Sequence, residues 1–314
     1  MRLVAAAGLG VAAGGLAMRR SLAAGERVLE DVESPFNHIV VAERGTVRTM
    51  YFIVDGTYYI ESRWDRAHPR SLDLDYTRTM MAGFVVNPDC KRLLMIGFGG
   101  GQISNYLFEH IEGLEIDAVD IDPEVIRLAR KYFDVPDDPR YRTHAADGRL
   151  FVENAKDQRW DQIMLDAFRG VFVPFHLKTV EYYQQLRRHL TERGTVVANL
   201  HSRTAMYKHD RNTFAHVFPT GYAFRSENAM QATFVASNDP VQLGAYALRD
   251  NAAKVQPSFD FDMQGLAARW YLETDWDTRA EILRDDFPKG KTPQGAERHN
   301  TPCAGPECRY RTDE

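Results

Sequence analysis

The feature that most constrains this chain is the run Leu93-Leu94-Met95-Ile96-Gly97-Phe98-Gly99-Gly100-Gly101-Gln102, followed by Ile116-Asp117-Ala118-Val119-Asp120-Ile121-Asp122-Pro123. An apolar run that stops at clustered glycines and restarts with helical periodicity reads as a buried strand, a tight turn and a helix. The second apolar run then ends in an acid. This is the opening of a nucleotide- or nucleoside-binding βαβ unit. The glycines let the backbone approach a ligand, and a carboxylate at the next strand's tip can accept hydrogen bonds from ribose hydroxyls. Gly97-x-Gly99-x-x-Gln102 lacks the third glycine of the dinucleotide fingerprint, which disfavours a nicotinamide-dependent oxidoreductase. No Gly-Lys-Ser/Thr follows to cradle a phosphate, so a P-loop is excluded.

The segments after this unit repeat its logic. Tyr141 to Ala146 runs into Asp147-Gly148, Trp160 to Leu165 runs into Asp166-Ala167-Phe168, and Thr195 to Leu200 ends at His201. In a parallel sheet such tips line up along one edge, where ligands bind. Any one of these acids alone reads equally as a helix N-cap or a solvated loop residue; their succession favours a site. Pro123 to Tyr132 reads as a helix with proline in its first turn, and Thr179 to Leu190 as another that Arg193-Gly194 closes.

Ahead of this region, Ile39–Ala42, Val47–Val54 and Thr57–Glu61 read as short strands. Glu43-Arg44-Gly45 and Asp55-Gly56 mark the turns of a small antiparallel unit. Asp73 to Val86 reads as one helix with Tyr76, Met80 and Phe84 on a shared face. After Pro240 the pattern thins, with Met263–Leu272 and Thr278–Leu283 helical. The expected organisation is an apolar N-terminal segment over 1–26, an N-terminal β domain plus helix over 27–88 and a Rossmann-like nucleoside-binding domain over 89–240. A C-terminal helical segment over 241–288 and a disordered tail over 289–314 complete it.

The 314 residues, 44% hydrophobic, suffice for a substantial core, and a net charge of −5 with a pI near 6.1 argues against a nucleic-acid binder. Residues 3–18 are small and apolar. They suit a secretory signal, a short membrane anchor or a plain extension, so a cytoplasmic protein with or without membrane association is the expectation. Cys90 reads as a buried small residue. Cys303 and Cys308 lie in the polar tail, either paired in an oxidising compartment or free, and no metal constellation is evident.

The order of these pieces resembles the spermidine synthase (polyamine aminopropyltransferase) family, built on the fold of S-adenosylmethionine-dependent methyltransferases. The resemblance spans residues 33–239. It is carried by Glu33-Ser34-Pro35-Phe36-Asn37-His38-Ile39, by Asp55-Gly56, by Tyr76, by Val119-Asp120-Ile121-Asp122, by Asp147-Gly148 and by Asp166-Ala167-Phe168-Arg169-Gly170. There are departures. Gly100 stands where the family has the aspartate expected to hold the donor's amine, Arg169 stands for a second aspartate, and Thr77-Arg78 replace a His-Glu pair. Loss of acids and arrival of cations predict a field less favourable to a diamine, by on the order of a kcal/mol per close charge reversal. Gly100 also predicts space and charge tolerance for the carboxylate of intact S-adenosylmethionine.

The resemblance implies a transferase of α/β class, with a Rossmann-like methyltransferase fold and a small N-terminal antiparallel β domain. S-adenosylmethionine or its decarboxylated form is the donor substrate, and a small-molecule amine the acceptor. Asp166 orients or deprotonates the acceptor with Tyr76 assisting. Gly97, Gly99, Gly101, Asp120, Asp147 and Gly148 hold the nucleoside, Asp120 at the ribose and Asp147 at the adenine amino group. Val171 to His176 covers the acceptor. A methyltransferase and a non-catalytic nucleoside-binding protein stand as alternatives, and a homodimer stays open.

Overall fold

The computed structural model describes residues 18–19, 22–168, 173–202, 204–226, 231–271 and 276–286. An N-terminal antiparallel sheet comprises β1 (Met18–Arg19), β2 (Arg27–Glu33), β3 (His38–Arg44), β4 (Val47–Val54) and β5 (Thr57–Asp65), in the order β1-β5-β4-β3-β2. Two short helices follow, α1 (Asp75–Met80) and α2 (Ala82–Val86). The sequence predicts one continuous helix here. The chain instead breaks at Met81, which is wholly buried and caps the first helix while opening the second.

The central region runs β6 (Arg92–Ile96), α3 (Gln102–His110), β7 (Glu115–Asp120), α4 (Pro123–Tyr132), β8 (Tyr141–Ala145), α5 (Gly148–Glu153), β9 (Trp160–Leu165), α6 (Val180–Arg188) and β10 (Leu190–His201). It continues with α7 (Tyr207–Val217), β11 (Thr220–Arg225), β12 (Gln231–Ser237), α8 (Ala245–Val255), α9 (Met263–Ala268) and β13 (Trp270–Tyr271). The large sheet has the order β13-β11-β12-β10-β9-β6-β7-β8. From β10 to β8 every neighbouring pair is parallel, whereas β12 joins β10 antiparallel. The chain winds outward from β6 through β7 to β8, then returns to β6's other side with β9. The reversal opens a crevice at the C-terminal ends of the strands, where ligands bind in such sheets.

Both faces of this sheet are buried. Leu93, Met95, Ile116 and Ala118 pack toward α2, α3, α8 and α9, while Leu94, Ile96, Val119 and Ile163 pack toward α5, α6 and α7. That two-sided burial is why residues 93–96 of β6 read as a continuous apolar run rather than an alternating one. The N-terminal sheet shares a third cluster with α4: Ile39, Val41, Met50 and Phe52 meet Val125, Leu128 and Phe133.

Several expectations change on the C-terminal side. The helix after Thr179 ends at Arg188, capped by His189, and Arg193-Gly194 fall within the β10 segment, beside its register shift between Leu190 and Thr195. Only Met263–Ala268 of the predicted Met263–Leu272 helix forms, because Trp270 and Tyr271 pair with Phe224 and Ala223. Thr278–Leu283 is not helical. Its backbone is held by tertiary partners: Asn212 Nδ2 donates to Ala280 O, Leu283 N donates to Thr213 Oγ1, and Val180 N donates to Leu283 O. The predicted N-terminal signal or anchor, but for Met18, and the tail from Lys289 with Cys303 and Cys308 lie outside the described residues. Among the described residues, no helix is long and apolar enough to cross a membrane, and no group of His, Cys, Asp or Glu is placed to hold a metal ion. Cys90 is buried.

Candidate active site

A cavity of about 280 Å³ lies at the C-terminal edge of the large sheet, roofed by the N-terminal sheet. The glycine turn after β6 forms its floor. Gly97 has a φ of +90°, and a Cβ there would sit 2.4 Å from the Asp166 carbonyl oxygen, so only glycine lets the tips of β6 and β9 come this close. Gly99 lines the cavity, Gly101 caps α3 in the left-handed conformation, and Gly148 opens α5 against Ile96.

Asp120, at the end of β7, reaches back under this turn. Its Oδ2 accepts from Phe98 N at 3.0 Å and Gly99 N at 3.5 Å, and its Oδ1 accepts from Asp122 N at 3.0 Å. A carboxylate has about four acceptor positions. Backbone donors fill three of them. Burial raises its carboxyl above the usual range, with the backbone N–H groups pulling it back.

Asp122 is fully buried and explains why the motif Glu33 to Ile39 accompanies the second acid pair. It caps α4 through Glu124 N, and its other oxygen accepts from Asn37 Nδ2 at 2.9 Å and from Ser34 Oγ. The β2–β3 connection is thereby clipped to the tip of β7, bringing Pro35 and Phe36 to the cavity. Asp147 caps α5 by accepting from Arg149 N and Leu150 N, and its Oδ2 lies 2.9 Å from His176 Nε2. An adenine amino group would share that oxygen with His176. The histidine expected over the acceptor thus sits at the Asp147 end.

Asp166, just past β9, is differently placed. Asn199 Nδ2 donates to its Oδ1 at 3.2 Å, and the Tyr76 hydroxyl hydrogen-bonds to the same carboxylate. Burial pushes the Asp166 carboxyl up to about 7, with the Asn199 and Tyr76 hydrogen bonds opposing the rise. Burial, followed by the Asp166 and Glu61 charges, raises the Tyr76 phenol well above its ordinary value, so it stays protonated and donates. The structure brings together all of the sequence-predicted site residues except Gly101, which acts from the start of α3.

The sequence reading missed Glu61 and Asn199, both in the lining. Asn199 sits two residues before His201, and the strand tip drew attention to the histidine instead. Glu61 closes a segment read as an ordinary strand, in which an acid looks solvated. The departures also take a new meaning. Gly100 N donates to Ser62 Oγ at 2.7 Å, and a Cβ at position 100 would meet Ser62 Cβ at 2.9 Å and the Phe133 ring at 3.0 Å. The space expected at Gly100 is therefore already filled. Thr77 Oγ1 and Arg78 Nη1 donate to Leu74 O and Leu72 O, and Arg78 takes no part in the lining. Asp75 faces Arg269 at 3.9 Å. Arg169 and the first residues of the loop thought to cover the acceptor lie outside the described residues.

Similarity to known proteins agrees with this geometry. A polyamine aminopropyltransferase of Vibrio vulnificus is 31% identical over 270 residues, covering 83% of this chain and 89% of that protein. A probable spermidine synthase from Corynebacterium glutamicum has a similar fold, with a TM-score of 0.62 at 20% identity over 71% of this chain and 86% of that one. Human methyltransferase-like protein 13, crystallised with SAH, superposes with a TM-score of 0.54 at 23% identity, over 59% of this chain and 91% of that one. The Spermine/spermidine synthase domain matches residues 75–234, about half of the chain and the part that carries Tyr76, the glycine turn, Asp120, Asp147 and Asp166. The chain belongs to the spermine/spermidine synthase family.

Proposed function

We propose that this protein transfers the aminopropyl group of decarboxylated S-adenosylmethionine to a small amine, as in polyamine biosynthesis. The observation that carries the reading is the charge of the cavity. Its lining holds Glu61, Asp120, Asp147 and Asp166 and, among the described residues, no lysine or arginine. A donor with a sulfonium and an ammonium group, and an acceptor that arrives as an ammonium ion, match that field.

The reaction needs little covalent help from the protein. The acceptor nitrogen's lone pair forms a bond to the propyl carbon next to sulfur; the carbon–sulfur bond breaks with its electron pair going to sulfur, leaving 5′-methylthioadenosine. The protein's tasks are to align nitrogen with that carbon and to remove a proton from the ammonium. Asp166 is suited to the second task, since a carboxylate poised near 7 accepts a proton at working pH and releases it afterward. Tyr76 and Asn199 fix its orientation. The glycine turn, with Asp120 and Asp147, holds the nucleoside, and Phe36 and Ile121 border its place.

The test is product analysis with putrescine and the decarboxylated donor. Spermidine and methylthioadenosine in equal amounts are the expected result. A second reading, methyl transfer from intact S-adenosylmethionine, is favoured by the absence of an acid at Gly100. A methylated product, with no aminopropyl transfer to putrescine or other amines, would replace the first reading with the second.

A further inference from the structure

Glu61 is a half-buried acid without a task in the chemistry above. It lies on β5, and its Oε1 is buried in the cavity wall without a hydrogen-bond partner. Leaving a buried carboxyl oxygen unpaired costs about 1–3 kcal/mol, and more if it is charged. Nearby, Gln102 Nε2 and Asn199 Oδ1 also line the cavity and are likewise unpaired. Burial, and then the charges of Asp166 and Asp120, raise the Glu61 carboxyl well above its ordinary range. It is therefore close enough to sense both the nucleoside end and the acceptor end. Beside it, Ser62 is committed to Gly100 N, and the Ser62 and Phe133 side chains leave no room for an acid at position 100.

Resting on the aminopropyl-transfer reading, we propose that Glu61 is the specificity-determining residue for the donor. From β5 its carboxylate binds the ammonium at the end of the aminopropyl arm and turns away an arm that also bears a carboxylate. The acid absent from the glycine turn is supplied by the neighbouring strand. Three consequences agree with the geometry: the unpaired Oε1 gains a charged donor, the acids around it gain a cation, and a carboxylate on the arm would meet Glu61 and Asp166 with no described cation in the lining to offset it.

Three unreactive thioethers isolate the arm. Methylthioadenosine has none, decarboxylated S-adenosylhomocysteine has the aminopropyl arm, and S-adenosylhomocysteine has the arm plus its carboxylate. Calorimetric titration of the full-length wild type should show the decarboxylated compound bound at least tenfold more tightly than S-adenosylhomocysteine. In Glu61→Gln its affinity should fall at least tenfold, while methylthioadenosine binding, which reports an intact nucleoside pocket and fold, changes less than twofold. Equal wild-type affinities for the two armed compounds, or a Glu61→Gln variant that retains its grip on the decarboxylated one, would overturn the proposal. If Glu61→Gln does not fold, the wild-type comparison decides alone. Because none of these ligands reacts, absence of aminopropyl turnover would count against the function and not against this assignment.

Discussion

At the nucleoside end of the cavity, Asp120 and Asp147 accept from Phe98, Gly99, Asp122, Arg149 and Leu150 backbone N–H groups, and His176 abuts Asp147. At the acceptor end, Glu61 Oε1 and Asn199 Oδ1 have no partner, and Asp166 has side-chain partners alone. The first end is a scaffold whose two carboxylates are held by backbone donors before any ligand arrives. The second is left with buried acceptor atoms that a charged donor would satisfy. Under the proposed function, fixed geometry would hold the common nucleoside portion, and the unsatisfied part would read the group transferred and its acceptor.

Substitutions should separate the two ends. The largest effect is expected at Asp166: Asp166→Asn keeps the shape but removes the base, and kcat for amine turnover should fall by about 10²–10⁴-fold with methylthioadenosine affinity little changed. A comparable loss of nucleoside affinity would mean that the acceptor end is part of the scaffold. At the other end, Asp120→Ala releases the glycine turn and should weaken methylthioadenosine binding by about 1.5–3 kcal/mol, the worth of hydrogen bonds to a charged acceptor. Unaltered binding in a folded variant would remove Asp120 from the scaffold.

The parallel half of the fold was legible because its signals are local. β6, β7, β8 and β9 are short segments that end at glycine or acid, and α4 begins with the first-turn proline read from the sequence, capped by Asp122. Beyond β10 the determinants are distant in sequence. α7 buries Asp210 beside Lys178 and Arg211 beneath Trp276, so its charged residues hide the face that packs. Residues 278–283 lost a predicted helix to hydrogen bonds donated by Asn212 to Ala280 O and by Leu283 N to Thr213. At the site, the placement of Asp166 and Tyr76 in the cavity was legible from a recognisable motif order, whereas that of Glu61 was not. Its place depends on a hairpin strand from the N-terminal sheet crossing over the glycine turn, a juxtaposition no local pattern encodes.

Smaller effects sharpen the contrast. Gly100→Asp, which would restore the acid of the family pattern, should not improve donor binding. It should instead destabilise the fold by about 1–3 kcal/mol in urea unfolding, through overpacking against Ser62 and Phe133. Tighter donor binding in that variant would show that the turn has room to yield. A pH-dependent change concerns the stability of the empty protein. Asp166 has a folded-state value of about 7, against roughly 3.9 for an unperturbed aspartate, so its stabilising contribution is complete below pH ~4 and is lost as pH rises through 7. At pH 8, Asp166→Asn should therefore raise Tm, by about 2–4 °C for each kcal/mol relieved, and at pH 4 it should not. An equal shift at both pH values would place the origin elsewhere.

The contrast between a satisfied scaffold and an unsatisfied acceptor end is tested most directly by proton release on ligand binding. In the empty cavity at pH 6.5, Asp166 is largely protonated, and Glu61 is held in the same direction by burial and the neighbouring acids. Calorimetry in buffers of different ionisation enthalpy, titrating decarboxylated S-adenosylmethionine into the full-length protein, counts the protons displaced. Release of about one proton or more per ligand, rising in none of the titrations with methylthioadenosine, is the expected result. Binding of the cationic donor with no proton released would contradict the account, since it would mean that these carboxyl groups were already ionised and satisfied without it.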